Sequence, residues 1–502
     1  MDSEEFRLRG REVIDFIIDY NATISQRPIL LKKNEGRLKD LLSETAPIKP
    51  ESFDKIMNDV KNYILPGLVH WRHPRYFAYF PCGGSYPSIL ADMLISTINC
   101  SGFSWAAGPA CTELEIITLD WLAKMIGLPS DFRSSEAKRG GGGVFQISSA
   151  DAMLVNMIAA RHIKTKEMKR RNPSLDCRAH LPFFMAYCSK ISHASIAKIA
   201  EVAMIQVRLL ETDDKYRLRG ETLAQAMKQD KQKGLIPFFV LASLGTTACC
   251  SCDSLDEIGP VCEDFDVWLH VDGAYAGSSL LCPEYQYLLK GVDYAQSFTI
   301  DPSLWMLVNF DCCAMWVKDR NKLTEALIID PLYLEHAFSH ISIDYRHWGI
   351  PLSRKFRALK LWFVIRNYGV EGLQKYIRKH IHLAKLFEKL VREDDRFVVE
   401  NEVNFGLVCF RIKGCNILNV KLLKKVNESG EILIVGTLLG TNYVLRLCIC
   451  SENTDEEDVY FAWELISKTA EKVLAEEEKD SSNGNEYFPH SCTSHGCKHK
   501  YE

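Results

Sequence analysis

"IPFFVLASLGTTACCSCDSLDEIGPVCEDFDVWLHVDGAYAG", residues 236–277, sets an apolar run, a helical stretch and a second apolar run in series. The two apolar runs are continuous rather than alternating, which predicts strands covered on both faces. "SLDEIGPVCEDF" between them predicts a helical crossover, so the strands should be parallel. The same grammar runs upstream, where "FFMAYCS" leads to "HASIAKIAEVAMI" and "IQVRLL" leads to "GETLAQAMKQDKQKG". Downstream, "SFTIDPSLWMLVNFDC" (297–312) predicts a buried strand, a Pro turn and a second apolar run beginning at Trp305. The expected fold class is α/β, with a mostly parallel central sheet.

This pattern occupies residues 81–370, the expected large α/β domain. Residues 1–80 form an expected helical arm with an apolar stripe (Phe6, Val13, Phe16, Ile17, Tyr20) followed by Pro-punctuated segments. The arm has too little core to stand alone, so it should pack on another body or subunit. Residues 371–478 shift to a smaller α+β domain, with strands in "RFVVE", "GLVCFRIKG" and "NYVLRLCIC" and a closing helix. Residues 479–502 form a flexible Cys/His-rich tail. It carries His490, Cys492, His495, Cys497 and His499, ligand types that suit zinc or copper. Their spacing fits no established finger, and no metal site is assigned.

The 502 residues are 47% hydrophobic with a net charge of −4, so a large core is available and no basic field points to nucleic acid. The N-terminus lacks the pattern of a signal peptide, and no apolar run reaches the roughly 18–20 residues that span a bilayer. A soluble, cytoplasmic chain is expected, with its 18 cysteines reduced.

In parallel α/β sheets, ligands sit beyond the carboxyl ends of the strands. "QISSAD" after the glycine run 140–143, "CSKISHAS", "LGTTACC" and "HVDGAYAG" are the candidate ends. Small and hydroxyl residues at helix starts suit a phosphate, and an aspartate can pair with a protonated ring nitrogen. Each residue alone has a structural alternative: Ser148, Ser149 and His193 as helix caps, Asp272 as the anchor of a turn.

Their order and context decide the reading. "GFSWAAGPACTELEIITLDWLAKMIGLP", "HVDGAYAGS", "VNFDCCAMWVKD", "DYRHWGIPLSRKFRALKLWFV" and "FGLVCFRIKG" closely resemble the aromatic-L-amino-acid decarboxylases. These are group II pyridoxal 5'-phosphate (PLP) enzymes that include the dopa, histidine and tyrosine decarboxylases, and the resemblance runs from about residue 4 to 476. It implies the fold type I, aspartate-aminotransferase-like architecture. It also implies a homodimer with active sites at the interface and an aromatic amino acid as substrate. On the same basis Asp272 would bind the pyridinium nitrogen, with Ala274 against the ring, His193 stacked on its other face and Thr247 beside it. Ser148 and Ser149 would fall in the phosphate cradle. Trp71, Tyr79, Phe80 and Phe103 would line the substrate pocket, and Tyr333 would be the mobile-loop proton donor. Relatives that make aldehydes usually carry Asn at the His193 position, so the resemblance is to the decarboxylase side.

The departures gather where the cofactor should sit. The family's N-P-H-K-W is here Asp301-Pro302-Ser303-Leu304-Trp305, which puts Leu304 at the position of the PLP lysine. A lysine amine would hold PLP as a Schiff base and shuttle protons; leucine offers no nitrogen. The family's "QGSAS" becomes Gln146-Ile147-Ser148-Ser149-Ala150, and Ile147 takes space where backbone should approach the phosphate. Asp301 replaces a neutral Asn. A carboxylate about 4 Å from one phosphate charge costs roughly 4 kcal/mol at an effective dielectric of 20, on the order of a thousandfold in affinity. Two functional expectations follow. One is a catalytically impaired relative or pseudoenzyme, dimeric with itself or with an active paralogue. The alternative is an active decarboxylase using a non-standard route, for which Lys190, three residues before His193, is the lysine near a pocket segment.

Overall fold

The computed structural model describes residues 1–29, 38–80, 83–138, 140–176, 178–328, 332–334 and 342–482. The chain groups into two compact units: Cys82–His382 with Asn401–Phe405, and Met1–Pro81 with Leu383–Glu400 and Gly406–Glu502. Tail residues 490–499, with the five candidate ligands, lie outside the described residues.

The larger unit is built on seven strands: β1 (Gly142–Gln146), β2 (Phe184–Ser189), β3 (Gln206–Leu210), β4 (Ile236–Ser243), β5 (Trp268–Asp272), β6 (Ser297–Ile300) and β7 (Cys313–Val317). Their order is β1-β7-β6-β5-β4-β2-β3. The run β3-β2-β4-β5-β6 is parallel, and β7 is antiparallel to both β6 and β1. The connections explain the difference. A helix intervenes between β2 and β3, β3 and β4, and β4 and β5, whereas β6 and β7 are joined by a segment with one helical turn, Pro302–Trp305. A parallel return needs a longer crossover, so the chain doubles back.

The apolar runs behave as their composition requires. β1, β2, β6 and β7 are buried throughout, β4 is buried after Ile236, and the edge strand β3 is mostly open. Helix Ser149–Arg171 lays Ala152, Met153, Val155 and Ala159 on a core that includes Val144, Phe184, Phe239 and Met315. The glycine run is a packing device here. A Cβ on Gly141 would meet the Asp131 carbonyl oxygen at 1.9 Å, and one on Gly143 would meet Trp316 Nε1 at 2.7 Å. Only glycine lets β1 approach these groups.

In the second unit, β8 (Phe397–Val399), β9 (Leu407–Ile412), β10 (Val435–Leu439) and β11 (Asn442–Cys448) form an antiparallel sheet in the order β10-β11-β9-β8. The arm joins it. The Phe77 N–H donates to Leu433 O at 2.9 Å, and the Cys448 N–H donates to Phe77 O at 3.0 Å. Ile29, Tyr76 and Ala78 pack with Leu433 and Val435. The N-terminal helix Ser3–Ala22 buries no residue of its own. Among the described residues, no helix is long and apolar enough to cross a membrane.

Candidate active site

Parallel alignment of β2, β4, β5 and β6 puts their carboxyl ends on one edge of the larger sheet. Asp272 is the last residue of β5, paired in register with Ser243 of β4 and Thr299 of β6. Its Oδ1 accepts the Ala274 N–H at 3.1 Å. Burial raises its pKa, offset by that N–H and by the proximity of His193, which favours the charged form. Ala274 in turn accepts the Asp301 N–H at 2.9 Å, which joins the ends of β5 and β6. Asp272, Ala274, His193 and Asp301 therefore belong to one neighbourhood, brought together by strand order rather than by sequence distance.

His193 lies in the turn before helix Ser195–Ala203, exposed, with Nδ1 2.8 Å from Ser195 Oγ and accepting the Ser195 N–H at 3.2 Å. Thr247 is exposed in the loop after β4. Ser148 caps helix Ser149–Arg171: its hydroxyl oxygen accepts the Asp151 N–H at 3.2 Å, and the hydroxyl lies 2.8 Å from Asp151 Oδ2. Ser149 is half-buried in the first turn. Ile147, straight after a fully buried strand, is 40% exposed at the entrance to this helix.

The segment after β6 is held rigidly. Asp301 Oδ1 accepts from Ser303 N at 3.0 Å and from Ser303 Oγ at 2.6 Å, capping the single turn Pro302–Trp305. Burial pushes the Asp301 carboxyl up to about 6, and the Asp311 charge adds to the rise, while the Ser303 donors and Lys360 oppose it. Trp305 is fully buried, donates from Nε1 to His380 Nδ1 at 2.9 Å, and stacks on Tyr275 with ring centroids 4.7 Å apart. Pro302 and Ser303 are also buried; Leu304 alone in this turn retains accessible surface. The backbone presents one side chain, and that side chain is apolar.

A charged network that spacing did not reveal supports the rim. Arg354 and Glu115, both buried, pair at 2.6 Å. Glu115 Oε1 accepts the Phe145 N–H at 2.8 Å, and Arg354 donates to Gly102 O and Phe145 O. The Phe103 carbonyl accepts the Arg346 N–H at 2.8 Å, and Asp344 Oδ1 accepts the Trp105 N–H at 3.0 Å. Half-buried Phe103 is thus positioned by residues far away in sequence. In the other unit, Trp71 stacks on Tyr76 and Tyr79 with centroids 5.3 and 6.0 Å apart, and the Arg446 guanidinium lies 5.4 Å from the Phe80 ring centroid. The Tyr333 side chain lies outside the described residues. Lys190 is engaged with Glu211 in an exposed ion pair.

With this geometry in place, similarity to known proteins can be read. The profile of the pyridoxal-dependent decarboxylase conserved domain matches residues 36–413. The chain belongs to the pyridoxal-dependent decarboxylase family. Rat aromatic-L-amino-acid decarboxylase is 48% identical over 481 residues, covering 95% of this chain and 100% of the relative. Human histidine decarboxylase is 44% identical, covering 95% of this chain and 72% of that protein. The crystal structure of Oryza sativa TDC with PLP and tryptamine superposes with a TM-score of 0.90 at 35% identity, covering 94% of this chain and 99% of that one. The fold is accordingly the PLP-dependent fold type I, with a smaller C-terminal domain. PLP is the family's cofactor.

The donor set here fits that cofactor only in part. A half-buried carboxylate at the end of β5, its pKa raised by desolvation against the opposing effects of the Ala274 N–H and His193, is placed to pair with a protonated ring nitrogen. The Pro302–Trp305 turn offers no amine to hold the group covalently. Both Ser148 and Asp301 already spend hydrogen bonds on their own helices. Within the Pro302–Trp305 turn the residues present give PLP no covalent anchor.

Proposed function

We propose that this chain is a catalytically impaired member of the aromatic-L-amino-acid decarboxylase branch, a pseudoenzyme that keeps the fold and lacks ordinary turnover. The observation that carries the reading is Leu304, the accessible residue of a turn otherwise fixed by Asp301, Ser303 and Trp305. Losing a proton-transferring group alone typically costs about 10²–10⁴ in rate, and loss of the covalent anchor compounds it. Purified protein is expected to carry no covalently bound PLP and to release negligible carbon dioxide from dopa, tyrosine, tryptophan or histidine. PLP-dependent carbon dioxide release, or a borohydride-fixed label on a lysine, overturns the reading. Leu304→Lys alone should recover little. Combined with Ile147→Gly, Ala150→Ser and Asp301→Asn, it should yield yellow, PLP-loaded protein; full activity from the single change refutes the role given to the altered cradle.

The same reading includes a partner. Helix Tyr86–Ile98 exposes Tyr86, Leu90, Met93, Leu94 and Ile98, which recur at helical spacing on one face. A stripe of this size on a soluble protein favours a second subunit, either another copy or an active paralogue. In the mixed pair, this chain would contribute Tyr333 to its partner's site and modulate rate or substrate choice. Co-expression with a tagged active paralogue tests this. Failure to co-purify sinks the mixed pair, as does a co-purified partner indifferent to Tyr333→Phe on this chain.

A further inference from the structure

We infer that Cys100 and Cys111 form a peroxide-sensitive thiol pair whose disulfide ties the loop carrying Phe103 to the helix Pro109–Met125. The two thiols converge on Gly108. A Cβ built on that glycine would lie 2.9 Å from Cys100 Sγ and 3.3 Å from Cys111 Sγ, so glycine leaves open the space through which the sulfurs face each other. Their surroundings differ. Cys100 follows the left-handed cap Asn99, is partly exposed, and rests its thiol 3.7 Å from the Ala107 carbonyl. Cys111 is 7% exposed in the first turn of the next helix, and burial with the neighbouring Cys100 pushes its thiol up to about 12.

That asymmetry orders the chemistry. The accessible Cys100 sulfur attacks one oxygen of hydrogen peroxide; an S–O bond forms to give the sulfenic acid, the O–O bond breaks, and the second oxygen leaves as water with the thiol proton. The Cys111 sulfur then attacks the sulfenic sulfur. An S–S bond forms, the S–O bond breaks, and the hydroxyl leaves with the Cys111 proton as a second water. Two electrons pass in all from the thiol pair to the peroxide. The loop between the sulfurs is already fastened at its middle, by the Gly102 N–H to Arg354 O at 3.3 Å and by the Arg346 N–H to Phe103 O. Closing the ends therefore requires mainly a shift of Cys100, and it removes the freedom left to Phe103 and Trp105.

The test uses the full chain treated with hydrogen peroxide, followed by alkylation, digestion and mass spectrometry. The expected result is a peptide linking Cys100 to Cys111, two fewer free thiols per chain, and neither change in Cys100→Ser. Gly108→Ala, which places a methyl group between the sulfurs, should lower the yield of the link severalfold. The inference is overturned if Cys100 in the native protein is alkylated no faster than the buried thiols. It also fails if Cys100 oxidises or bridges two chains while Cys111 stays alkylatable after denaturation, or if Gly108→Ala leaves the yield unchanged.

Discussion

Asp301 shows how one carboxylate can serve a turn and burden the fold. Its folded pKa of about 6 exceeds the ordinary 3.8 because burial disfavours the charge. Between these values the folded state holds the proton more tightly than the unfolded chain, so its contribution to stability falls as pH rises from about 4 to about 6. Asp301→Asn keeps an acceptor for Ser303 and removes the buried charge. The variant should be more stable than the parent by about 1–3 kcal/mol above pH ~6.5, with the gap closing near pH ~4. Urea unfolding midpoints across that range check it, and a gap that widens toward acid contradicts it. Ser148 is another residue with two readings, phosphate ligand or cap, and its oxygen accepts the Asp151 N–H as a cap does.

At the scale of elements, the rim depends on the buried pair joining helix Pro109–Met125 to β1 and to the Arg354 segment. Glu115→Ala leaves the Arg354 guanidinium buried without its carboxylate, which should cost about 3–5 kcal/mol. It should also free the Phe103 loop, seen as faster amide exchange at residues 102–105. A loss under about 1 kcal/mol would show the pair to be dispensable. β2, β4, β5 and β6 were legible in sequence because each is a short apolar run; β7 was not, since the second apolar run was expected from Trp305, which closes a helical turn, and the strand begins only at Cys313. β10 was not: "VGTLL" is half-open and reads as loop beside the stronger "NYVLRLCIC". Glu115 and Arg354 were equally opaque. A charge inside an apolar helix looks the same in sequence whether it meets water or a partner from another segment. The apolar stripe of the arm was visible, but not its attachment to Leu433 and Cys448, a pairing across hundreds of residues that no local pattern encodes.

For the whole molecule, assembly gives the clearest measurement. Leu90→Asp with Leu94→Asp places two charges on the exposed face of helix Tyr86–Ile98, where no described residue is displaced from the core. The parent should elute as a dimer and the double variant as a folded monomer, by light scattering with unchanged far-ultraviolet circular dichroism. A dimeric variant would remove that helix from the interface. The position of β7 bears on how the chain is made. Among the described residues β1 pairs with β7 alone, in the register Gly142↔Val317, so its partner emerges from the ribosome about 170 residues later. At roughly 5–20 residues per second this is on the order of ten to thirty seconds. Throughout that interval Val144 and Phe145 lack the strand that will cover their backbone. Nascent chains halted after Gln146 and before Cys313 therefore carry β1 without the strand it pairs with, an unpaired strand open to wrong partners.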